Sequence, residues 1–221
     1  MNAVRWLAAR EADLPRGEAW LDPAEREALA RLRVPKRRSD WLLGRWAAKR
    51  ALVAAGVASR EADVAVLASD SGAPVAFVLG RPAGVVLSIT HSHGVAVAAI
   101  GPAGTGLGAD LERVERRAPG FLEDWFTNAE QRFASDGEAA LAATLVWSAK
   151  EAVMKALREG LRIPPKAIEV APEPGPADGA WRPFSARGPG PEEWRGWWRA
   201  EAGFVLSVAA RPAAGPPERI G

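Results

Sequence analysis

A chain of 221 residues is long enough to form one large domain or two smaller ones with a sizeable core. Its 29 basic and 27 acidic side chains nearly balance, so charge indicates little about the fold, although it permits a locally basic face. The absence of cysteine excludes a disulfide framework and a thiolate metal site and is compatible with a cytoplasmic protein. No run approaches 18 apolar residues and the first residues lack an apolar stretch, so we expect neither a membrane span nor a signal peptide.

The first half of the sequence alternates helical patterns with short apolar runs. Asp22-Pro23-Ala24-Glu25 places an N-cap, a first-turn proline and a first-turn acid in order, and it predicts a helix to about residue 32. Apolar and basic residues at helical spacing predict a second helix over residues 39–55, closed by Gly56. The expected strands are residues 1–9, 64–68, 75–79, 85–89 and 95–100.

The last two of these strands flank Thr90-His91-Ser92-His93-Gly94, which predicts a hairpin with a polar tip. His91 has two interpretations. The neighbouring hydroxyls of Thr90 and Ser92 could satisfy the imidazole within the tip, or the imidazole could act as a partly cationic donor to an anion. The residues alone leave both open.

The second half begins with a predicted strand over residues 107–112, followed by an aromatic segment, a helix start at Asn128 and a long helix over residues 139–159. The strands that follow His93 and Ala202 have similar sequences. Either two α+β halves related by pseudo-symmetry or the monotony of Ala/Val-rich strands would produce this echo. Further strands are expected over residues 167–170, 194–198 and 203–210, and residues 212–221 are expected to fray.

Two carboxylates occur at alternate positions of the strand predicted over residues 107–112. Asp110 and Glu112 point to the same side of such a strand, and they repel each other unless a cation lies between them. Hard oxygen ligands without a nearby His or Cys suit Mg²⁺, which keeps water and phosphate oxygens as its other ligands. The alternative is that both side chains face solvent at a strand end.

One face of the long helix carries Trp147, Glu151 and Lys155 at intervals of four residues. The spacing alone is typical of a surface helix with a salt bridge between Glu151 and Lys155. Beside Asp110 and Glu112, however, Glu151 could be a third metal ligand and Lys155 a phosphate ligand. Three basic residues upstream could form a second anion pocket or only a solvated helix face: Arg37, Arg38 and Arg45.

The motif Gly108-Ala109-Asp110-Leu111-Glu112, followed about 35 residues later by Trp147-Ser148-Ala149-Lys150-Glu151-Ala152 and Lys155, resembles the two signature motifs of 4′-phosphopantetheinyl transferases. Their order is similar to that of the monomeric, surfactin-synthetase-activating type. Ala73 stands where many members carry Lys, so one phosphate contact is expected to be missing or moved. Four further segments are similar to family motifs: Arg37-Arg38 with Leu43-Gly44-Arg45 to the basic motif, Gly72-Ala73-Pro74 to the Gly-x-Pro turn, residues 89–92 to the histidine motif and residues 125–130 to the F-x-x-x-E segment.

The resemblance implies an α+β fold of two similar halves, residues 1–102 and 103–221, with the active site between them. The implied enzyme is a holo-[acyl-carrier-protein] synthase. It transfers the 4′-phosphopantetheine arm of coenzyme A to a serine of an acyl or peptidyl carrier protein and releases adenosine 3′,5′-bisphosphate. Mg²⁺ is the implied metal, with Mn²⁺ as the alternative ion. A monomer without nucleic-acid or membrane partners is expected.

The resemblance also implies roles for individual residues. The general base is Glu151 or Glu130, and the resemblance does not choose between them. Lys150 either contacts coenzyme A or only lies at the rim of the site. The carrier protein is expected to dock near Phe121, Trp125 and Phe126. The other implied roles are metal ligation by Asp110, Glu112 and Glu151, phosphate contacts from Lys155 and His91, and binding of the 3′-phosphate by Arg37, Arg38 and Arg45.

Two other functions compete with this interpretation. A different Mg²⁺-dependent phosphoryl or nucleotidyl transferase could use the same carboxylates without consuming coenzyme A. A basic nucleic-acid-binding module could use the ten tryptophans for stacking, provided that they cluster with Lys and Arg on one sheet face.

Overall fold

The computed structural model describes residues 3–135, 138–158, 163–191 and 193–221. The chain divides into two compact units. The N-terminal unit comprises Met1–Thr105 together with Pro217–Gly221, and the C-terminal unit comprises Gly106–Pro216. The last five residues, expected in the C-terminal half, therefore belong to the N-terminal unit.

The N-terminal unit packs a long helix against a four-stranded sheet of order β12-β1-β6-β5. A separate three-stranded sheet has the order β2-β3-β4. Alanines on the long helix and apolar strand residues form its core. The strands are β1 (Arg5–Arg10), β2 (Val64–Ala68), β3 (Pro74–Val78), β4 (Arg81–Pro82), β5 (Val85–Ser92), β6 (Val95–Pro102) and β12 (Glu218–Arg219), and the helices are α1 (Pro23–Ala30) and α2 (Pro35–Ala54).

The C-terminal unit packs its longest helix against a five-stranded sheet of order β7-β11-β10-β9-β8. Small residues on that helix and large ones on the strands fill the core between them. The strands are β7 (Gly106–Arg113), β8 (Glu169–Pro172), β9 (Arg182–Arg187), β10 (Trp194–Glu201) and β11 (Phe204–Arg211), and the helices are α3 (Pro119–Trp125), α4 (Asn128–Ser135) and α5 (Ala139–Leu157).

The expected α+β fold of two similar halves is confirmed. Each unit has a short helix, a long helix and a sheet that contains a tight antiparallel hairpin. Both hairpins turn through two successive residues of positive φ, His93-Gly94 in one unit and Ala202-Gly203 in the other. The sequence echo therefore marks corresponding hairpins.

Three local predictions differ from the structure. β5 continues through Ser92, so Thr90 and His91 lie in a strand and only His93-Gly94 turns the chain. α2 begins at Pro35 rather than at residue 39, because proline suits the first helical position, where its missing N–H costs nothing. The tail is not frayed, since β12 pairs with β1 in parallel.

The long helix of the C-terminal unit ends at Leu157, where the chain enters the left-handed region at Arg158. Its last expected residue, 159, lies outside the described residues. The helix face formed by Ala149, Ala152, Val153 and Ala156 is buried. It meets β7 at Gly108, where a Cβ would lie 1.9 Å from the Ala152 carbonyl oxygen and 2.6 Å from the Ala156 nitrogen. Helix and strand backbones thus touch, and only glycine permits this contact.

We expect Gly108→Ala to lower the free energy of unfolding by about 3 kcal/mol or more, because the methyl group would meet backbone atoms that cannot rotate away. Chemical denaturation followed by circular dichroism measures the change. Gly120→Ala is the matched control: Gly120 lies on α3 with open space around its Cβ position, so its effect should stay within about 0.5 kcal/mol. Equal effects of the two substitutions would contradict the close-contact explanation.

Candidate active site

β7 and α5 bring the predicted carboxylates together in the C-terminal unit. Asp110 is buried on β7, Glu112 is half-buried two residues further on, and Glu151 is half-buried on α5. Two hydrogen bonds join helix and strand here. The Ser148 hydroxyl donates to the Asp110 carbonyl oxygen at 3.1 Å, and Lys155 Nζ donates to the Ala109 carbonyl oxygen at 3.2 Å.

The three carboxylates affect one another electrostatically. Burial raises the pKa of Glu112, and the negative charge of Asp110 raises it further. Burial also raises the pKa of Glu151, and the charges of Asp110 and Glu112 add to this rise while Lys155 opposes it. A concentration of negative charge this poorly solvated favours the binding of a cation.

Two basic side chains of the C-terminal unit already contact these carboxylates. Lys155 Nζ lies 2.7 Å from Asp110 Oδ1, so its close contact is with the strand carboxylate and not with Glu151 as helix spacing suggested. Arg117 Nη2 donates to Glu112 Oε2 at 3.1 Å, and its guanidinium lies 5.1 Å from the centre of the Phe121 ring. The side chains of Arg117 and Trp147 both oppose the rise in the pKa of Glu112.

With the side chains in these positions, the carboxylates do not converge on one point. Within the described parts of the chain, no group of three or more His, Asp or Glu side chains is arranged to hold a metal ion. Arg117 and Lys155 instead neutralise part of the charge. The chemistry of the donors still fits Mg²⁺, because all three are hard oxygen ligands. For Glu112 to join the other two carboxylates in binding Mg²⁺, its side chain would have to rotate away from Arg117.

Glu130 and Lys150 form a buried ion pair away from solvent. Glu130 Oε2 accepts from Lys150 Nζ at 2.8 Å and from the Thr127 backbone N–H at 2.7 Å, and Oε1 accepts from the Val170 N–H at 2.8 Å. Neither side chain exposes more than 1% of its surface. A general base or a coenzyme A ligand must reach its substrate, so this geometry does not support those predicted roles of Glu130 and Lys150.

Basic residues of the N-terminal unit line a separate cavity of about 500 Å³. Arg37, Arg45 and His91 lie in its wall together with Lys36, which sequence reasoning had not assigned to a site. His91 Nδ1 is 3.9 Å from Asp40 Oδ2, and the His91 side chain is 45% exposed. The cavity is therefore accessible and rich in hydrogen-bond donors, as an anion site requires.

Two of the three predicted arginines have their own contacts within the N-terminal unit. Arg45 Nε donates to the Val66 carbonyl oxygen at 2.8 Å, and its guanidinium lies over the Trp41 ring at 4.6 Å. This fixes Arg45 in the cavity wall. Arg38 instead donates to Glu18 Oε1 at 2.7 Å and to the Leu29 carbonyl oxygen at 2.9 Å, and it is not among the cavity-lining residues. The geometry does not support Arg38 as a phosphate ligand.

The aromatic segment predicted as the carrier surface is only partly accessible. Trp125 is 37% exposed, whereas Phe126 is fully buried in the core and cannot contact a partner. The ring of Trp125 lies 5.9 Å from that of Trp147, and Phe121 lies 5.2 Å from Trp147. Since Trp147 lies on α5 one turn before Glu151, these rings connect an exposed surface to the helix that carries this carboxylate.

Comparison with known proteins assigns both units to one family. Residues 106–207 match the model of the 4′-phosphopantetheinyl transferase superfamily, and residues 25–101 match that of the 4′-phosphopantetheinyl transferase N-terminal domain. The chain belongs to the 4′-phosphopantetheinyl transferase superfamily. A comparison with curated proteins gave no significant match.

Membership confirms the family resemblance of the sequence motifs. It supports a transferase that, like 4′-phosphopantetheinyl transferases in general, passes phosphopantetheine to carrier proteins. The family generally uses coenzyme A and Mg²⁺. Across the described ranges, none of the helices of this transferase has the length and hydropathy to cross a membrane.

Sequence reasoning missed one side chain at the basic cavity, Lys36, and one at the carboxylates, Arg117. Lys36 directly precedes Arg37, and its spacing from Asp40 gives the i,i+4 pair seen at 2.7 Å. Arg117 follows β7 in a segment without regular periodicity, so no sequence pattern indicated that it turns back to Glu112.

Removal of the Arg117 cation should increase the Mg²⁺ affinity of the free protein, because Arg117 competes for Glu112. For Arg117→Met we expect a dissociation constant about three- to tenfold lower, as the loss of one partly exposed ion pair suggests. Titration calorimetry at about pH 8, where carboxylates are ionised, gives the constant. Arg116→Met is the control, since Arg116 is exposed and its loss changes net charge equally. Weaker binding in Arg117→Met would contradict the competition.

Proposed function

We propose that this chain is a holo-[acyl-carrier-protein] synthase of the surfactin-synthetase-activating type. It transfers the 4′-phosphopantetheine arm of coenzyme A to a serine of an acyl or peptidyl carrier protein and releases adenosine 3′,5′-bisphosphate. The observation that carries the proposal is the placement of Asp110 and Glu112 on β7 beside Glu151 on α5, with Lys155 Nζ 2.7 Å from Asp110 Oδ1. A pyrophosphate substrate needs this mixture of metal-binding carboxylates and a basic donor.

Asp110, Glu112 and Glu151 are the residues that would hold Mg²⁺, or Mn²⁺ as the alternative ion. When bound, the ion would offset the negative charge that accumulates on the leaving phosphate. The ammonium group of Lys155 would stabilise the same negative charge on the leaving phosphate. Its ammonium can exchange the Asp110 carboxylate for a phosphate oxygen, since Lys is a point charge on a flexible stem.

Glu151 is the general base in this proposal. Its carboxylate takes the proton from the carrier serine while the serine oxygen bonds to the phosphorus that bears the pantetheine arm. The bond from that phosphorus to the bridging oxygen breaks, and the bridging oxygen leaves on adenosine 3′,5′-bisphosphate. While no cation is bound, burial and neighbouring negative charge raise the pKa of Glu151. Glu130 lacks an accessible oxygen for this role.

The basic cavity of the N-terminal unit is proposed as the site of the 3′-phosphate. Arg37, Arg45 and His91 supply donors, and Lys36 adds an ammonium whose side chain is 83% exposed. Lys36 compensates for Ala73, which stands where many family members carry Lys. The carrier protein is proposed to approach Trp125 and Phe121, because Trp125 is 37% exposed and both rings pack against Trp147 on the helix that carries Glu151.

The nucleic-acid alternative loses its main support in the structure. Of the tryptophans that could stack with bases, Trp6, Trp20, Trp194 and Trp198 are buried in the two units. Arg211 and Arg182 lie over the rings of Trp194 and Trp198 rather than lining a free groove. Action as a monomer in the cytoplasm, without nucleic-acid or membrane partners, is part of the proposal, and the cysteine-free composition is compatible with that compartment.

Incubation with coenzyme A, Mg²⁺ and an apo carrier protein should increase the carrier mass by one phosphopantetheine group. Intact-protein mass spectrometry measures the shift, and nucleotide chromatography measures an equal amount of adenosine 3′,5′-bisphosphate. A carrier whose acceptor serine is replaced by alanine should not react. Release of nucleotide without modification of any of several carriers would mean that coenzyme A is cleaved without transfer, and it would contradict the proposal. Unchanged coenzyme A would also contradict the proposal and would favour the other phosphoryl or nucleotidyl transferase, which does not consume coenzyme A.

A further inference from the structure

The segment around Lys150 has a counterpart in the N-terminal unit. Trp147-Ser148-Ala149-Lys150 on α5 corresponds to Trp46-Ala47-Ala48-Lys49 on α2. Each lysine reaches a glutamate on the preceding short helix, Glu130 on α4 and Glu25 on α1. The repeat is present in the sequence, and each glutamate ends a helix-capping sequence, Asp22-Pro23-Ala24-Glu25 in one unit and Thr127-Asn128-Ala129-Glu130 in the other.

The N-terminal pair is completely buried, with both side chains 0% exposed. Lys49 Nζ lies 2.6 Å from Glu25 Oε2 and donates also to the carbonyl oxygens of Trp20 and Val64. Glu25 accepts from the Val66 N–H at 3.0 Å and from the Asp22 N–H at 2.9 Å. All three ammonium protons therefore have acceptors, and both carboxylate oxygens have donors.

The C-terminal pair repeats this arrangement contact by contact. Lys150 Nζ donates to Glu130 and to the carbonyl oxygens of Pro165 and Ile168. As in the N-terminal pair, the glutamate accepts from the N–H three residues before it and from the N–H of a strand residue, here Val170. In both units a lysine acceptor is the carbonyl two residues before that strand N–H, in Val64 and Ile168.

The electrostatics of the two lysines also correspond. Burial lowers the pKa of Lys49 and of Lys150, and in each case the partner glutamate opposes the fall through a hydrogen bond and through its charge. An aromatic ring covers each ammonium, Trp20 at 5.6 Å from Lys49 Nζ and Phe126 at 6.0 Å from Lys150 Nζ.

The chemistry of the neighbouring residues does not repeat. Arg50 and Ala54 follow Lys49 where Glu151 and Lys155 follow Lys150. The buried pair thus occurs with and without the carboxylate site. What the two long helices share is that each carries site residues: Arg37 and Arg45 on α2, Glu151 and Lys155 on α5. Because this interaction occurs in both units, its role is to hold the long helix in place rather than to take part in the reaction.

We propose that Glu130–Lys150 and Glu25–Lys49 are positioning pairs that set the rotation of α5 and α2. Successive side chains on a helix differ by about 100°, so anchoring Lys150 towards Glu130 fixes the direction in which Glu151 leaves the helix. Each pair fastens its long helix to a short helix and to a strand, β8 or β2. The inference about catalysis rests on the proposed function, whereas the fastening itself does not.

The test compares two matched double variants, Glu130→Gln with Lys150→Met and Glu25→Gln with Lys49→Met. Removal of both charges avoids the loss of about 3–5 kcal/mol expected when one buried charge is left alone. For the C-terminal variant we expect kcat for carrier modification to fall about 10- to 100-fold with little change in KM for coenzyme A, since the base and Lys155 are misplaced. For the N-terminal variant we expect KM to rise about 10-fold with kcat nearly kept.

Assays are run below the melting temperature of each variant, and hydrogen exchange of the intact protein provides a second readout. Amides of α5 should exchange faster in the C-terminal variant, and amides of α2 in the N-terminal one. If a double variant does not fold, Glu130→Asp and Glu25→Asp, which keep both charges and shorten the reach to the lysine, give the same comparison. Equal effects of both variants on kcat and KM, or wild-type kinetics in the C-terminal variant, would overturn the proposal.

If the wild-type protein modifies no carrier, the proposed function is refuted. The positioning role is then tested by the hydrogen-exchange measurement alone. Unchanged exchange of α5 in the C-terminal variant would then refute the fastening.

Discussion

The backbone contact between β7 and α5 at Gly108 is the constraint on which the candidate site depends. It brings a strand with two carboxylates next to a helix with a third, and no larger residue fits at that point. The hydrogen bonds from Ser148 and Lys155 to β7 carbonyl oxygens hold the same contact. The negative charges are thus close together because backbones pack, at an electrostatic cost that packing must outweigh.

The structure handles this accumulated charge with basic side chains of its own. Lys155 contacts Asp110, and Arg117 contacts Glu112. A metal ion could take the place of these basic side chains on the carboxylates, and the released basic side chains could then bind a phosphate. Binding of the metal ion and binding of the phosphate would therefore favour each other. The two lysines of α5 differ in exposure. Lys155 is one-third exposed and able to exchange partners, whereas Lys150 is fully enclosed by its partners.

Local chemistry made much of the fold predictable. The capping sequence at Asp22 and the apolar alternation of β7 identified elements directly, and the paired motifs identified the family. Burial and tertiary contacts were not predictable. Spacing cannot show that Glu130 is enclosed by α5 and β8, or that Arg38 turns to Glu18 and away from the cavity. No strand was predicted at β9, because Arg182-Pro183 interrupts the strand pattern. The antiparallel neighbour β10 nonetheless pairs with this segment.

The central claim is that the carboxylates on β7 and α5 form the reaction centre. Glu112→Gln tests it most directly, because the substitution removes one charge and keeps the side-chain shape. We expect the rate of carrier modification to fall by about 100-fold or more, in line with the loss of one group that stabilises transition-state charge. Glu27→Gln, at an exposed position on α1, removes the same charge and should leave the rate nearly unchanged. Equal rates of the two folded variants would contradict the claim.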